Sequence, residues 1–127
     1  MLKPGGHFLV LCMEWLPFED KIAGESEKLV LKYNPDWSGK GSTIQPITIP
    51  EIYNEKFDLV YHSEYPLKVH FTREGWNGRM KSCRGIGASL TPDEIALWEN
   101  EHMSLLSKTA PLTEYTLRKG KLKILTV

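Results

Sequence analysis

Residues 2–13 read LKPGGHFLVLCM and decide the fold class of this 127-residue chain. The turn signal at 4–6 precedes residues 7–13, which are apolar on both of their alternating faces. Continuous hydrophobicity of this kind is typical of a strand covered on both sides, as in the middle of a parallel sheet. Such a strand needs a neighbour on each edge, and none precedes it in these residues. We therefore expect its flanking strands to belong to an upstream segment.

The pattern downstream predicts two helices and two further strands. Helical spacing predicts a helix over residues 17–33. Residues 57–71 alternate between apolar and polar side chains, which predicts a strand with one buried and one wet face, and Pro66 within it predicts a sheet edge or a bend. TPDE at 91–94 matches a capping box and predicts the start of the second helix. Residues 121–127 are typical of a final strand.

Composition excludes several classes of protein. The 16 basic and 16 acidic residues cancel, whereas a nucleic-acid-binding protein normally shows a basic excess or stripe, so we expect no nucleic-acid partner. No apolar run approaches the ~18 residues that span a bilayer, so we expect no membrane partner. Cys12 and Cys83 lie too far apart in the sequence to suggest a disulfide framework or a zinc site. The reducing cytoplasm is therefore the expected compartment.

Motifs for phosphate, metal and nucleophilic chemistry are weak in this sequence. GKG at 39–41 and GIG at 85–87 lack the strand-to-helix context of a phosphate-binding loop. The spacing of the histidines does not suit a helical zinc motif, and the single Glu99-x-x-His102 unit is half of what a di-iron site requires, so we expect no metal. Basic neighbours of Cys83 would lower the pKa of its thiol, but no general base can be assigned.

Residues 73–84, REGWNGRMKSCR, place three arginines and a lysine around a tryptophan. Arginine forks favour carboxylates and phosphates, and an aromatic side chain beside them favours a flat or apolar group. One interpretation is therefore a contact with an anionic substrate or partner. The other is a solvated helical face with Trp76 in the core.

The LKPGG turn followed directly by a buried strand resembles the class I methyltransferases that use S-adenosylmethionine, in which this turn leads into the fifth strand of a seven-stranded sheet. In that family a helix follows, and then an antiparallel pair whose seventh strand inserts between the fifth and the sixth. The order of elements here is similar from end to end. The resemblance implies an α/β fold, the C-terminal part of a Rossmann-like methyltransferase fold. Its small mixed sheet would hold one parallel-type strand and then an antiparallel pair, with flanking helices.

The resemblance also implies that residues 1–127 form a single partial domain, from the fifth strand to the C-terminus. The cofactor loop of the family, D/E-x-G-x-G-x-G after the first strand, is absent from this sequence, as is the acidic residue that ends the second strand. S-adenosylmethionine is therefore expected to bind the parent protein and not this chain, and no cofactor-binding residue is carried over. The chain alone is expected to be inactive.

Substrate contacts in this family often come from the turn after the fifth strand and from the sixth-strand region. The resemblance implies that the substrate is a small molecule and that it contacts residues in these two places: Glu14, Trp15, Phe18, Arg73, Trp76 and Arg79. Glu14 is the candidate general base, which is needed only for an acidic or hydroxyl acceptor.

Two alternatives and one association are also expected from the sequence. The chain could be a standalone α+β binding module for a small anionic ligand, or an interaction domain that adds a strand to the sheet of another protein. If the upstream strands are missing, the edge of the strand that starts at His7 and ends at Met13 carries unpaired backbone groups. Such an edge predicts a homodimer or self-association.

Overall fold

The computed structural model describes residue 3 and residues 5–12, 14–41, 50–110 and 115–126. Its helices and strands are β1 (His7–Cys12), α1 (Lys21–Tyr33), α2 (Glu51–Asn54), β2 (Asp58–Phe71), α3 (Arg73–Lys81), α4 (Pro92–Thr109) and β3 (Tyr115–Thr126). This mixture of helices and strands agrees with the α/β class predicted from the sequence. Met13, the expected last residue of the first strand, lies outside the described residues.

The chain divides into two compact units, and each is built from separate stretches of sequence. Unit 1 contains residues 1–14, 44–67 and 119–127, and unit 2 contains residues 15–43 and 68–118. Unit 1 holds β1, α2 and most of β2 and β3. Unit 2 holds the three longer helices.

The three strands form one sheet in the order β1-β3-β2, so the last strand lies between the first two. β1 pairs antiparallel with β3, and its register runs from His7 opposite Thr126 to Cys12 opposite Lys121. The prediction of a parallel-type first strand is therefore not met by the pairing that the described residues show. β2 lies at an edge, as the proline within it predicts.

β1 is not covered on both faces in the described part of the chain. The Phe8 ring stacks on Tyr53 at a centroid distance of 6.0 Å and lies 5.6 Å from the Phe57 ring, so α2 and the residues after it cover one face. Leu9 points to the opposite face and is 48% exposed. The apolar run predicts the strand correctly, but the expected double coverage is absent because only the Phe8 face has these packed neighbours.

The face of β2 that the alternation predicts to be buried is half exposed. Leu59, Tyr61 and Tyr65 share one face of the strand, and each is between 49% and 51% exposed. The prediction of a buried face is therefore wrong for these positions. Alternation decides which side chains share a face, but it does not supply the layer that would cover them.

α1 begins at Lys21, four residues later than predicted, because Asp20 caps it. The Asp20 carboxylate accepts a hydrogen bond of 2.9 Å from the Ala23 backbone N–H, which satisfies one of the free donors at the helix start. The preceding turn packs tightly on the helix, since a Cβ on Gly24 would lie 2.5 Å from the Pro17 carbonyl oxygen. The helix ends at Tyr33, as predicted.

The core of unit 2 forms where α4 packs against both α1 and α3. Its largest buried side chains come from all three helices and from the segment between α3 and α4, and they include Val30, Trp76, Met80, Ile86, Trp98 and Leu106. Burying one such side chain contributes about 1.5–3 kcal/mol, so this core is the main source of stability in the unit. None of the helices that the structure describes is long and apolar enough to cross a bilayer.

The capping box at the start of α4 is present as predicted. The Thr91 side chain accepts from the Glu94 backbone N–H, and the Glu94 carboxylate accepts from the Thr91 backbone N–H at 2.9 Å. The hydrogen bonds that the Thr91 backbone N–H and hydroxyl donate to the Glu94 carboxylate lower the pKa of that carboxyl.

Replacing Thr91 with alanine is expected to lower the free energy of unfolding by about 1 kcal/mol, because it removes a side-chain cap. Urea denaturation followed by circular dichroism measures this loss. Thr91→Ser is the matched control, because it keeps the hydroxyl and should change the midpoint little. A Thr91→Ala midpoint equal to that of the unsubstituted chain would contradict the stabilising role of the cap.

Candidate substrate-binding site

Trp15 is the centre of an aromatic and charged cluster in unit 2. Its indole N–H donates to the Glu27 carboxylate at 2.6 Å, and its ring meets the Trp76 ring edge-on at 5.7 Å. The Arg79 guanidinium lies 5.1 Å from the centre of the Trp15 ring, which is a cation–π distance. The structure therefore brings together three of the six predicted site residues: Trp15, Trp76 and Arg79.

Trp76 belongs to the core. Only 1% of it is exposed, its indole N–H donates to the Ser26 hydroxyl at 2.9 Å, and its ring contacts Phe71 at 5.4 Å. A side chain that is almost fully buried cannot contact a substrate in this arrangement. The sequence interpretation that places Trp76 in the core therefore describes this residue better than the substrate-contact interpretation.

Two of the three arginines of the cluster at 73–84, Arg73 and Arg79, have structural partners. Arg73 donates to the Ala110 carbonyl oxygen at 2.6 Å and so satisfies a free acceptor at the C-terminal end of α4, where a cation is favourable. Arg79 is half-buried and donates to the Cys83 sulfur at 3.3 Å. Burial raises the pKa of the Cys83 thiol, with Arg79 opposing, whereas the basic neighbours in the sequence predict a lowered pKa. Cys83 therefore lacks the character of a reactive thiolate.

Glu14 and Phe18 follow β1 but belong to different units. Glu14 is half-buried in unit 1. Phe18 is in unit 2 and is 76% exposed, although it is a large apolar side chain. It lines a cleft of about 530 Å³ whose other walls come from α1 and from the loop at 40–41.

Glu27 on α1 lines this cleft and forms hydrogen bonds to the segments on both sides of it. It is 5% exposed, and its two oxygens accept from the Trp15 indole at 2.6 Å and from the Gly41 backbone N–H at 2.9 Å. A buried carboxylate needs such donors, because burial removes its hydration. The second hydrogen bond holds the loop beside α1, with Gly41 in the left-handed region at φ +72°, which favours glycine.

A chain of polar side chains crosses the core behind this cluster. His102 Nδ1 lies 2.8 Å from the Asn77 amide oxygen, and its Nε2 lies 3.0 Å from the Ser26 hydroxyl. The Asn77 amide nitrogen donates to Glu99 at 2.8 Å, and Lys81 completes the chain with an ion pair to the same carboxylate at 2.8 Å. These donors lower the pKa of the Glu99 carboxyl, and Lys81 is the main cause.

The orientation of Asn77 assigns the tautomer of His102. Because the Asn77 nitrogen faces Glu99, its oxygen must accept from Nδ1–H, which leaves Nε2 as the acceptor in the neutral ring. The Ser26 hydroxyl has two acceptors within reach, His102 Nε2 and the Ile22 carbonyl oxygen at 2.7 Å, and one hydrogen to donate. Burial lowers the pKa of His102 to about 4, so the neutral ring is the native form.

Ser26, His102 and Asn77 are arranged as a nucleophile, a base and an orienting group would be, but they do not form an accessible catalytic site. His102 and Ser26 are each 0% exposed, and the Ser26 hydroxyl already accepts from Trp76. No substrate carbon can reach this oxygen without opening the core. We interpret this chain of side chains as a buried polar network that joins α1, α3 and α4.

Sequence reasoning missed Glu27, Asn77 and the lysines of the cleft. It predicts that Glu27 faces solvent, because charged residues in an amphipathic helix normally do. Ser26 and His102 at otherwise apolar positions of their helices were the available signal for the polar network, since a polar group at such a position needs a partner.

Searches of protein-family models, of curated protein sequences and of solved structures gave no match to this chain. Within residues 5–12, 14–41 and 50–110, no group of three or more acidic, histidine or cysteine side chains could hold a metal ion. Any functional interpretation therefore depends on the geometry given above and on the motif resemblance.

Proposed function

We propose that this chain is the C-terminal, substrate-side part of an S-adenosylmethionine-dependent methyltransferase that acts on a small molecule. The strand order β1-β3-β2, with β3 antiparallel to β1, is the observation that carries the proposal. In the family that the LKPGG turn resembles, the last strand likewise inserts between the fifth and the sixth. Consecutive strands are neighbours in roughly two-thirds of cases, so a last strand that lies between the first two adds specificity to a short motif.

The position of the cleft supports the same proposal. In the resembled family, substrates contact the turn after the fifth strand, and here Phe18 in the turn after β1 lines the cleft. Trp15 in that turn is held by Glu27 and by Arg79, so the segment has a defined conformation. A fixed wall of this kind can orient a small acceptor, and orientation supplies much of the rate in a displacement reaction.

The residues of this chain do not fit the cofactor itself. The sequence has no glycine-rich loop after a buried strand, so we propose that S-adenosylmethionine binds the upstream part of the enzyme, and we assign no step to it. The contribution of this chain would be to bind the acceptor and exclude water. Glu14 remains the proposed general base for an acidic or hydroxyl acceptor. We infer a cytoplasmic location for the parent enzyme.

A second candidate function is a standalone α+β module that binds a small anionic ligand. The lysine-lined cleft favours it, because a lone binding site needs no cofactor loop. A strand-addition domain is a third candidate, favoured by β1 at an edge of the described sheet. The same edge supports self-association as a proposal.

The gene sequence upstream of codon 1, followed by calorimetry, tests the main proposal. We expect an in-frame strand followed by D-x-G-x-G, and we expect the longer protein to bind S-adenosylmethionine saturably while residues 1–127 give no binding heat. A longer protein with its central loop glycine replaced by valine is the control and should lose binding. A ribosome-binding site directly before Met1 would favour a standalone module. Saturable binding to residues 1–127 alone would overturn the assignment of the cofactor site.

A further inference from the structure

We infer that the cleft beside α1 binds a small molecule with an apolar body and one anionic group, a carboxylate or a phosphate. The inference names the substrate class of the proposed enzyme, and it rests on the proposed function only for the statement that the bound molecule is the methyl acceptor. The binding itself is a property of unit 2.

One face of α1 forms the longest wall of the cleft. Lys21, Gly24, Lys28 and Leu31 follow one another at spacings of three and four residues, which places them on the same side of the helix. Gly24 leaves the helix surface open at its centre and lets the turn at 17–18 approach closely, as its contact with the Pro17 carbonyl oxygen shows.

The apolar part of the cleft is exposed without a cover in the described residues. Phe18 is 76% exposed, and its ring edge lies near Gly41, where an added Cβ would be 3.8 Å from Phe18 Cζ. Pro17 and Leu31 extend this apolar surface along the turn and the helix. An exposed aromatic ring within a concave surface marks a binding site more often than an isolated exposed side chain does.

The charges around the cleft leave a cationic excess. Lys28 is paired with Glu25 at 2.7 Å, and both oxygens of Glu27 are occupied by N–H donors. Lys21 and Lys40 also line the cleft, and neither belongs to the ion pairs seen among the described residues. Three lysines less two glutamates leave one net positive charge along the cleft, and this charge beside an exposed ring favours a ligand that is negative at one end and apolar at the other.

The walls are fixed before any ligand binds. The Gly41 N–H is held by the buried Glu27 carboxylate, and Asp20 caps the start of α1. The backbone on both sides of the cleft is therefore anchored to the core of unit 2. A preformed site loses little conformational entropy on binding, so weak contacts can still give measurable affinity.

Backbone amide spectra of the ¹⁵N-labelled chain, titrated with benzoate, phenyl phosphate and benzamide, test this inference. We expect benzoate or phenyl phosphate to shift the amides of Lys21, Gly24 and Gly41 saturably. Benzamide, which has the same ring without the charge, should bind at least tenfold more weakly. The comparison of benzoate with phenyl phosphate shows which anion the site prefers.

The matched variants separate a built site from general surface charge. Lys21→Gln combined with Lys40→Gln should weaken binding at least tenfold, and Phe18→Ala should weaken it severalfold without a change in thermal midpoint, because the ring is exposed. Lys108→Gln removes an exposed lysine near the end of α4 and should leave binding unchanged.

Equal binding of benzamide and benzoate, or an equal loss with Lys108→Gln, would overturn the inference. Its failure is distinguishable from failure of the proposed function. If the longer protein binds S-adenosylmethionine but neither benzoate nor phenyl phosphate binds in the cleft, only the inference fails. If the cleft binds benzoate but no upstream cofactor segment exists, the inferred binding stands and the methyltransferase proposal fails.

Discussion

Replacing Trp76 with alanine is expected to lower the free energy of unfolding by about 4 kcal/mol, within the 3–5 kcal/mol typical of a buried tryptophan. The ring is 1% exposed and packs edge-on against both Trp15 and Phe71. Its loss leaves a cavity and removes the N–H that the Ser26 hydroxyl accepts. Because whole domains are stable by only about 5–15 kcal/mol, the variant is expected to be largely unfolded at 37 °C.

Urea denaturation followed by tryptophan fluorescence and by circular dichroism measures this loss. Trp76→Phe restores much of the volume but not the N–H, so it should lose only about 1–2 kcal/mol. Leu97→Ala is the matched surface control, because Leu97 is 61% exposed on α4 and should change stability by less than about 0.5 kcal/mol. A Trp76→Ala variant as stable as Leu97→Ala would show that this side chain does not hold the core together.

The second large effect is a loss of stability in mild acid that depends on His102. Its pKa falls from an ordinary 6.5 to about 4 in the folded chain because the ring is buried, with Glu99 opposing the shift. The unfolded chain therefore takes up a proton at a higher pH than the folded chain does. The stabilisation is fully present above pH 6.5 and is lost as the pH falls towards 4, by about 2 kcal/mol at pH 5 and about 3 kcal/mol at pH 4.

Urea midpoints measured from pH 7.5 to pH 5 check this prediction. The pKa values of Glu94, Glu99 and Glu101 are lowered from 4.5, so the stability that these carboxylates contribute is lost only below about pH 4.5, outside this window. His102→Gln should be less stable at pH 7 but should lose most of the slope between pH 6.5 and pH 5. An unchanged slope in the variant would show that other groups cause the acid sensitivity.

The parts of the fold that depend on local chemistry could be predicted from the sequence. TPDE at 91–94 contains the whole capping box, so the sequence predicts the start of α4 correctly. The missing N–H of Pro66 predicts either a sheet edge or a bend for β2, and the structure has β2 at an edge. Helical spacing predicts too early a start for α1, because the spacing extends into the turn at 17–19 and the Asp20 cap decides where the helix begins.

The parts that depend on distant partners could not be predicted in the same way. A charged residue on a helix is normally predicted to face solvent, and Glu27 is buried because Trp15 and Gly41 both supply donors to it. Trp15 and Arg79 were candidate site residues, but their contact with each other appears only when α3 and the turn after β1 are placed together. Hydrophobic alternation likewise could not show that Leu59 and Tyr61 stay half exposed.

The pairing of β1 with β3 also determines the order in which the nascent chain can fold. The paired residues lie roughly 110–120 positions apart in the sequence, so β1 is translated long before its partner exists. All residues of α1, α3 and α4 are translated before β3, and α4 packs against both α1 and α3. We therefore expect the helices to be able to dock during synthesis, whereas β1 can form its hydrogen bonds with β3 only after nearly the whole chain has been translated.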